Sequence, residues 1–366
     1  MATFSMVATF VLPSHLGGDR VRTEARSSQE LVERLSIVER RVFETPIIRL
    51  DHEPVDLYAK LEFLNSVGSI KDRPAFWMLK RSIERGQVQP GTTIIESSSG
   101  NLARALAALC NVLGLPFIPV IDPLVSPLNE SFLRAHCQTV VKVAAHADDA
   151  GGYLKARLQV VSRLLAERDG AAYWTNQYAN PDAMEAHYVL TAGEICKRLP
   201  NVDYVFIGVS SAGTVAGVSR RLKEHNPAIR IVAVDAEGSV IFGQPAKKRR
   251  IPGLGSSIKP SLLDHAAIDD VVIVNETDTI DACHLLLERH GLFVGGSTGT
   301  VYSAIRRYFP NRSSGRQPRV LFFCCDRGDA YLHDVYAAST PDATRTGADH
   351  RQVVEGRFAR PASQRG

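Results

Sequence analysis

The chain has 366 residues, of which 45% are hydrophobic and 22% are charged, and its formal net charge at pH 7 is +4. A chain of this length can bury the cores of two α/β lobes. The mild charge does not favour a nucleic-acid partner, and no apolar stretch is long enough to predict a membrane span.

The cysteines and histidines give no sign of a metal site or of a disulfide framework. Neither the six cysteines nor the eleven histidines follow a spacing typical of metal ligands. The N-terminus lacks a basic segment followed by a clear cleavage site, so no signal peptide is predicted. These features predict a cytoplasmic protein that keeps its thiols reduced and binds no metal.

Predicted strands and helices alternate along the chain, which is typical of an α/β protein whose parallel sheets are covered on both faces. Residues 1–35 are interpreted as a partly disordered N-terminal extension and residues 341–366 as a flexible tail. Strands are predicted at 93–95, 117–120, 139–143, 205–209, 230–234, 270–274 and 320–324. Helices are predicted at 103–113, 127–136, 183–199, 214–225, 277–290 and 300–308.

Lys71 lies at the predicted start of a further helix, in the segment Gly-Ser-Ile-Lys-Asp-Arg-Pro-Ala at residues 68–75. Ser69 and Asp72 are spaced as a capping box, and Pro74 occupies the first turn, where proline is tolerated. A lysine that is held there and partly desolvated has a lowered pKa, which suits a Schiff base with a carbonyl cofactor. On these residues alone, an ordinary surface lysine is the simpler interpretation.

Three loops of small polar residues each follow a predicted strand and precede a predicted helix. They are Glu-Ser-Ser-Ser-Gly-Asn-Leu at 96–102, Ser-Ser-Ala-Gly-Thr at 210–214 and Gly-Gly-Ser-Thr-Gly-Thr at 295–300. Backbone N–H groups and hydroxyls at a helix start bind anions, and the second loop has the composition of a phosphate cradle. Because ligands of open α/β sheets bind at the carboxyl ends of the strands, we expect these loops and Lys71 to converge on one cleft.

The ordered set of these segments resembles the fold-type II pyridoxal-phosphate (PLP) enzymes, in the cysteine synthase and cystathionine β-synthase family. The resemblance covers roughly residues 40–335, including Asn-Gln-Tyr-Ala-Asn-Pro at 176–181 and Asp-Arg-Gly-Asp-Ala-Tyr at 326–331. It implies two open parallel-sheet lobes of three layers each, with the cofactor in the cleft. It also implies a homodimer, a smaller mobile lobe at 61–178, and a larger lobe made of 36–60 and 179–340.

The resemblance implies roles for individual residues toward PLP. Lys71 would hold PLP as a Schiff base and remove the α-proton of the substrate, and Asn101 would hydrogen-bond the ring hydroxyl oxygen. Ser297 would face the pyridine nitrogen, where a neutral hydroxyl suits β-elimination rather than transamination. The cofactor phosphate would be held by Ser210, Ser211, Ala212, Gly213 and Thr214.

Substrate contacts are implied for a second group of residues. The substrate carboxylate would be bound by Ser98, Ser99 and Gln177. Tyr178 is adjacent and would line the pocket of the second substrate. Arg104 and Arg157 are candidate cations for phosphoryl or carboxylate groups. For both arginines, an exposed position on a helix is the alternative interpretation.

Within the family, the segment at 96–102 looks most like that of siderophore and antibiotic pathway enzymes. Those enzymes make N-(2-amino-2-carboxyethyl)-L-glutamate, a precursor of 2,3-diaminopropionate, from O-phospho-L-serine and L-glutamate. Cysteine synthases usually carry Thr-Ser-Gly-Asn-Thr-Gly there, from which Leu102 and Ala103 depart. The predicted reaction is therefore a PLP-dependent β-replacement with glutamate as nucleophile. A cysteine synthase that uses sulfide is the alternative, and a protein of this fold that only binds a partner is a remote one.

Overall fold

A computed structural model describes residues 24–25, 27–144, 152–310 and 316–337 of the chain. The described residues up to Tyr336 belong to one compact unit. The predicted tail at 341–366 and residues 1–23 of the predicted extension lie outside the described residues. Among the helices that are described, none combines the length and the apolar character needed to cross a membrane.

The described residues form α-helices and strands in an alternating order. The strands are β1 (Ile47–Leu50), β2 (Asp56–Lys60), β3 (Thr93–Ser97), β4 (Phe117–Ile121), β5 (Val141–Lys142), β6 (Ala172–Trp174), β7 (Tyr204–Gly208), β8 (Arg230–Ala236), β9 (Asp270–Val274) and β10 (Arg319–Phe323). The α-helices are α1 (Ser28–Glu39), α2 (Asp72–Glu84), α3 (Asn101–Leu113), α4 (Pro127–His136), α5 (Gly152–Ala166), α6 (Pro181–Ala186), α7 (Ala192–Arg198), α8 (Gly213–His225), α9 (Glu276–His290) and α10 (Gly296–Tyr308).

The larger sheet has six strands in the order β1-β2-β10-β7-β8-β9. All neighbouring strands are parallel except β1 and β2, which pair antiparallel with Ile47 opposite Lys60. Val205, Phe206 and Ile207 of β7 are all buried, as expected for a central parallel strand covered on both faces. The early strands β1 and β2 therefore belong to the larger sheet despite their position in the chain, as the family resemblance implies.

The smaller sheet has four parallel strands in the order β5-β4-β3-β6. Its central strands β3 and β4 place apolar residues on both faces of the sheet, and Ile94, Ile95 and Val120 are fully buried. The carboxyl end of β3 leads through residues 98–100, called the serine loop, into α3, just as the carboxyl end of β7 leads into α8. The predicted α/β class with two parallel-sheet lobes is confirmed, with one antiparallel edge strand in the larger sheet.

Local sequence signals predict most helix boundaries correctly. Helix α4 has the predicted bounds, and the Ser126 hydroxyl caps it by accepting a hydrogen bond from the Asn129 N–H. Helix α3 is followed by Gly114 as its C-cap, whose left-handed backbone (φ 70°) suits a glycine. Helix α1 begins within the predicted extension, because Leu31 and Leu35 are buried in the main hydrophobic core.

The single helix predicted at 183–199 is interrupted in the structure. Helix α6 ends at Ala186, and a π-helix, His187–Thr191, precedes α7. Helix α8 crosses this segment so closely at Gly217 that a Cβ there would lie 2.2 Å from the Met184 carbonyl oxygen. Wider π turns inside helices are often found at functional sites, and this one borders the cleft.

Candidate active site

Lys71 lies at the N-terminal end of α2 and faces the start of α8. Its Nζ donates a hydrogen bond to Ser211 Oγ at 3.3 Å. Burial lowers the pKa of Lys71, as expected for an amine removed from water. Both residues line an open pocket of about 220 Å³, whose other lining residues are Pro74, Leu102, Gln177, Ala183, His187, Gly213 and Thr214. The structure thus brings the predicted lysine and the predicted phosphate loop together.

The backbone from which Lys71 projects is held by Asp72, although not as a capping box. Asp72 Oδ2 accepts a hydrogen bond from the Val67 N–H at 2.6 Å, and Ser69 Oγ accepts one from the Lys71 N–H at 3.2 Å. In a capping box, the acidic side chain would instead reach the N–H of Ser69 itself. Burial raises the pKa of Asp72 to about 6. The capping-box prediction is therefore wrong in detail, but both side chains still tie down the start of the helix.

The phosphate loop turns through a left-handed residue, Ala212 (φ 65°, ψ −4°), immediately before α8 begins. A residue with a Cβ adopts this conformation at a cost of about 1–2 kcal/mol. Ser210 Oγ donates to the Gly255 carbonyl oxygen at 3.1 Å, whereas Ser211 faces Lys71. The loop is therefore strained at one residue and anchored at its first serine, a combination that is common at binding sites.

Thr214, in the first turn of α8, is paired with the buried side chain of His187. Thr214 Oγ1 lies 3.2 Å from His187 Nε2, and His187 Nδ1 lies 2.9 Å from Thr191 Oγ1. Burial, reinforced by the charge of Lys71, lowers the pKa of His187 to about 3, so the imidazole is neutral. Both Thr214 and His187 line the Lys71 pocket.

Asn101 is the first residue of α3 and is held by the segment at 326–331, which follows β10. Its Nδ2 donates to Asp326 Oδ2 at 2.6 Å, and the Tyr331 hydroxyl donates to the same oxygen at 2.8 Å. Burial raises the pKa of Asp326. A carboxylate can only accept hydrogen bonds, which identifies the Asn101 atom that faces it as the amide nitrogen. One N–H of that nitrogen remains for a ligand.

Ser297 is the second residue of α10 and does not line the Lys71 pocket. It is 8% exposed and lines a second open pocket of about 280 Å³ together with Arg249 and Leu254. Cys325 joins the two segments, because its carbonyl oxygen accepts from the Ile70 N–H at 2.8 Å and its N–H donates to Thr298 Oγ1 at 3.2 Å. The segment that follows β10 thus holds the Lys71 segment beside the Ser297 segment.

A largely buried arginine on α5, Arg157, contacts the serine loop. Ser99 Oγ donates to Asp122 Oδ2 at 3.0 Å, and Arg157 Nη1 lies 3.3 Å from Ser99 Oγ and 3.2 Å from Asp122 Oδ2. The Arg157 side chain is 12% exposed, and its buried Nε has no hydrogen-bond partner among the described residues. The neighbouring Ser98 Oγ accepts from the Gly100 N–H at 3.4 Å. Arg157 is therefore a largely buried arginine at the serine loop, not an exposed one on a helix surface.

Gln177 and Tyr178 extend the same side of the cleft. The Gln177 N–H donates to Glu96 Oε2 at 3.3 Å, and its Nε2 donates to the Ser97 carbonyl oxygen at 3.5 Å. Burial raises the pKa of Tyr178, and the positive charge of Arg157 opposes that shift. The Tyr178 hydroxyl is thus within electrostatic range of the Arg157 guanidinium.

Arg104, the other candidate cation, packs on an aromatic ring. Its guanidinium carbon lies 5.1 Å from the centroid of the Phe132 ring. A cation over an aromatic face is stabilised by about 0.5–2 kcal/mol, depending on its exposure. Its buried Nε has no hydrogen-bond partner among the described residues, so a substrate contact of Arg104 stays a prediction, as it does for Arg157.

The donor set of the cleft fits a ligand that carries both an aldehyde and a phosphate. Lys71 supplies a buried amine with a lowered pKa, which favours the neutral form that attacks carbonyls. The hydroxyls of Ser211 and Thr214 meet the positive end of α8, where a phosphate is favoured. Asn101 supplies a further N–H donor. PLP carries all the matching groups.

The chain belongs to the pyridoxal-phosphate dependent enzymes, since the model of that family matches residues 38–326. The predicted family and the predicted cofactor are therefore confirmed. In this cleft, Lys71 is the residue that would hold the aldehyde, and the loop at 210–214 would hold the phosphate.

The more particular likeness is to the N-(2-amino-2-carboxyethyl)-L-glutamate synthases of two bacteria. The protein of Ralstonia nicotianae is 44% identical over 80% of this chain and 87% of its own length. That of Cupriavidus metallidurans is 42% identical over 82% of this chain and 89% of its own length. Among solved structures, the O-acetylserine dependent cystathionine β-synthase from Helicobacter pylori superposes with a TM-score of 0.74 at 29% identity, covering 81% of this chain and 96% of that one. The predicted resemblance is confirmed at both levels.

Metal-binding clusters and disulfides do not occur in the described part of the chain. No group of three or more His, Cys, Asp or Glu side chains there could hold a metal ion. No disulfide joins the six cysteines, which are Cys110, Cys137, Cys196, Cys283, Cys324 and Cys325.

Two residues of the site were not singled out by the sequence patterns. Asp122 directly follows β4, and a polar residue at the carboxyl end of a parallel strand is a signal that could have identified it. His187 lies in the middle of a predicted helix and matches no motif. Its role becomes visible only through its contact with Thr214.

Proposed function

We propose that the chain catalyses a β-replacement that joins O-phospho-L-serine and L-glutamate into N-(2-amino-2-carboxyethyl)-L-glutamate and phosphate, for 2,3-diaminopropionate synthesis. The names of the two bacterial relatives support this assignment. The observation that carries it in this chain is Arg157, a largely buried cation that contacts Ser99 and Asp122, since a pocket that admits only sulfide needs no cation for its second substrate.

Bound PLP supplies the electron sink that makes the α-proton of an amino acid acidic. Lys71 takes that proton at Nζ, and its lowered pKa keeps more of the amine in the neutral form that can accept it. Ser98, Ser99 and Gln177 bind the α-carboxylate of O-phospho-L-serine. Phosphate leaves with the electron pair of its bond to the β-carbon. The glutamate amine forms the new bond to that carbon and loses a proton, and Lys71 returns a proton to the α-carbon.

Glutamate places a demand on the site that sulfide does not. It carries two carboxylates, which must find cations or N–H donors when they leave water. Arg157 contacts Asp122 and Ser99 through Nη1, and we propose that further N–H groups of its guanidinium donate to a carboxylate of glutamate. Tyr178 offers a hydroxyl within electrostatic range of the same arginine.

The test offers the purified protein O-phospho-L-serine with glutamate or sulfide at equal concentration, and the products are read by mass spectrometry. We expect the secondary amine that joins the two amino acids as the main product, and a slower reaction with O-acetyl-L-serine as donor. Cysteine as the only product, with O-acetyl-L-serine as the better donor, would instead identify a cysteine synthase.

Arg157→Gln should reduce kcat/KM for glutamate about 10- to 100-fold, as expected for the loss of one charge-assisted hydrogen bond. PLP binding should change little, and turnover with sulfide should fall less than turnover with glutamate, because sulfide brings no carboxylate to this cation. Arg163→Gln is the matched control, since Arg163 lies on the same helix but is 46% exposed beside Glu167. Equal losses in the two variants would remove Arg157 from the substrate site.

We also propose that the protein is a cytoplasmic homodimer in which the smaller lobe, 61–178, moves against the larger lobe, 36–60 and 179–340. Six cysteines without a disulfide support a reducing compartment. Size-exclusion chromatography with light scattering would test the dimer, and a monomer at micromolar concentration would contradict it.

A further inference from the structure

The hydroxyl of Thr214 can meet an anion in two opposite ways. A threonine hydroxyl has one proton to donate and two lone pairs that accept. If the proton points at His187, the hydroxyl presents lone pairs to the pocket, and these repel a phosphate. If the proton points into the pocket, the hydroxyl donates to the phosphate. The partner on the other side of Thr214 decides between these arrangements.

That partner is a neutral imidazole, which has one N–H donor and one acceptor nitrogen. With the proton on Nδ1, the ring would donate to Thr191 and accept from Thr214. With the proton on Nε2, the ring donates to Thr214 Oγ1 at 3.2 Å and accepts from Thr191 Oγ1 at 2.9 Å. Only the second arrangement leaves the Thr214 proton free for an anion.

We infer that His187 is a positioning residue, which holds its proton on Nε2 and thereby directs the Thr214 hydroxyl proton at the phosphate monoester of the cofactor. The inference rests on the predicted role of Thr214 as a phosphate ligand and is independent of which nucleophile the enzyme uses. Thr191 is the third member of this hydrogen-bond network, because its hydroxyl donates its proton to His187 Nδ1.

The inner part of this hydrogen-bond network is shielded from water. His187 is 1% exposed and Thr191 is fully buried, so water does not compete for the Thr191 hydroxyl or for the ring nitrogen that it contacts. A Cβ on Gly217 would lie 2.9 Å from His187 Cβ, which shows how closely α8 approaches the ring. The π-helix begins at His187 and ends at Thr191, so the same wide turn carries both members.

The first experiment compares the binding of PLP and of pyridoxal, which lacks the phosphate, to cofactor-free protein. His187→Leu and Thr214→Val should each weaken PLP binding at least about tenfold, as expected for a lost hydrogen bond to a charged group. Pyridoxal binding should change less than about twofold. The double variant should lose no more than Thr214→Val alone, because His187 acts through Thr214. Additive losses, or equal losses for PLP and pyridoxal, would overturn the inference.

Thr191 provides variants outside the pocket in case His187→Leu does not fold. Thr191→Ser retains the hydroxyl and should bind PLP like the wild type, whereas Thr191→Val removes the donor to Nδ1 and should bind PLP more weakly but pyridoxal normally. Equal PLP affinities for these two variants would contradict the proposed direction of the hydrogen bonds.

The tautomer can also be observed directly in the PLP-loaded protein by ¹⁵N NMR of the histidine side chains, with the His187 signals assigned by comparison with His187→Leu. We expect the neutral ring with the proton on Nε2. A signal from Nδ1–H, or a charged ring at pH 7, would overturn the inference whatever the binding data show.

Discussion

Replacing Arg73 with methionine should destabilise the cofactor-free protein by about 3–5 kcal/mol, because it leaves a carboxylate buried without a cation. Arg73 lies two residues after Lys71 and is 1% exposed. Its guanidinium donates to Glu62 Oε2 at 2.7 Å and to both carboxylate oxygens of Glu194, at 2.6 and 2.8 Å. Lys60 contacts Glu194 at 2.5 Å and Glu62 at 3.5 Å.

The magnitude follows from the charge balance of this cluster. Two cations and two carboxylates cancel in the wild type, and all four side chains are at most 10% exposed. Without Arg73, one negative charge remains in a place that water does not reach. At an m-value of about 3 kcal/mol/M, a loss of about 3–5 kcal/mol lowers the urea midpoint by about 1–1.7 M. Urea is the right denaturant because it does not screen charges.

Arg198→Met is the matched control for this measurement. Arg198 lies on α7, as Glu194 does, and donates to Glu44 Oε2 through two nitrogens at 3.0 and 2.8 Å. Its side chain is 60% exposed, so its loss should cost about 0–1 kcal/mol. In the Arg73→Met background, Glu62→Gln should recover part of the stability by removing the uncompensated charge. Similar midpoints for the two arginine variants, or a further loss from Glu62→Gln, would refute the reasoning.

Three further predictions concern the cleft. Lys71→Ala should lose the visible absorption band of protein-bound PLP while its circular dichroism stays unchanged; a retained band would mean that another amine holds the cofactor. Ala212→Gly should be more stable than Ala216→Gly by about 1–2 kcal/mol in urea, since both lose a methyl group but only Ala212 has a left-handed backbone, φ 65°; equal midpoints would contradict this. Asp72 keeps its proton up to a pKa of about 6 in the folded chain, against an ordinary 3.8, so the wild type loses stability as the pH rises between these values. The thermal midpoint of Asp72→Asn, relative to that of the wild type, should therefore rise with pH over this range and stay constant at higher pH. A difference in midpoint that does not depend on pH would contradict the raised pKa of Asp72.

Local sequence determined the elements and the loops of this protein. Helix α4 could be bounded correctly because a serine cap and a proline in the first turn act within a few residues. The same holds for the loop at 210–214, whose small residues follow a buried strand and start a helix. Lys71 was identifiable because its segment combines small flanking residues with an apolar helix face.

Tertiary structure alone decided which of these residues meet. Asn101 and Asp326 are 225 residues apart in the chain, and Arg157 and Ser99 are 58 apart. The local sequence around Arg157 fits two interpretations, a substrate cation or an exposed helix residue. Only the packing of α5 against the smaller sheet distinguishes between them. The interrupted helix at 181–198 likewise depends on its contact with α8 at Gly217. Propensity and capping act over one or two turns, whereas contacts like these are set by strand order and helix packing across the whole fold.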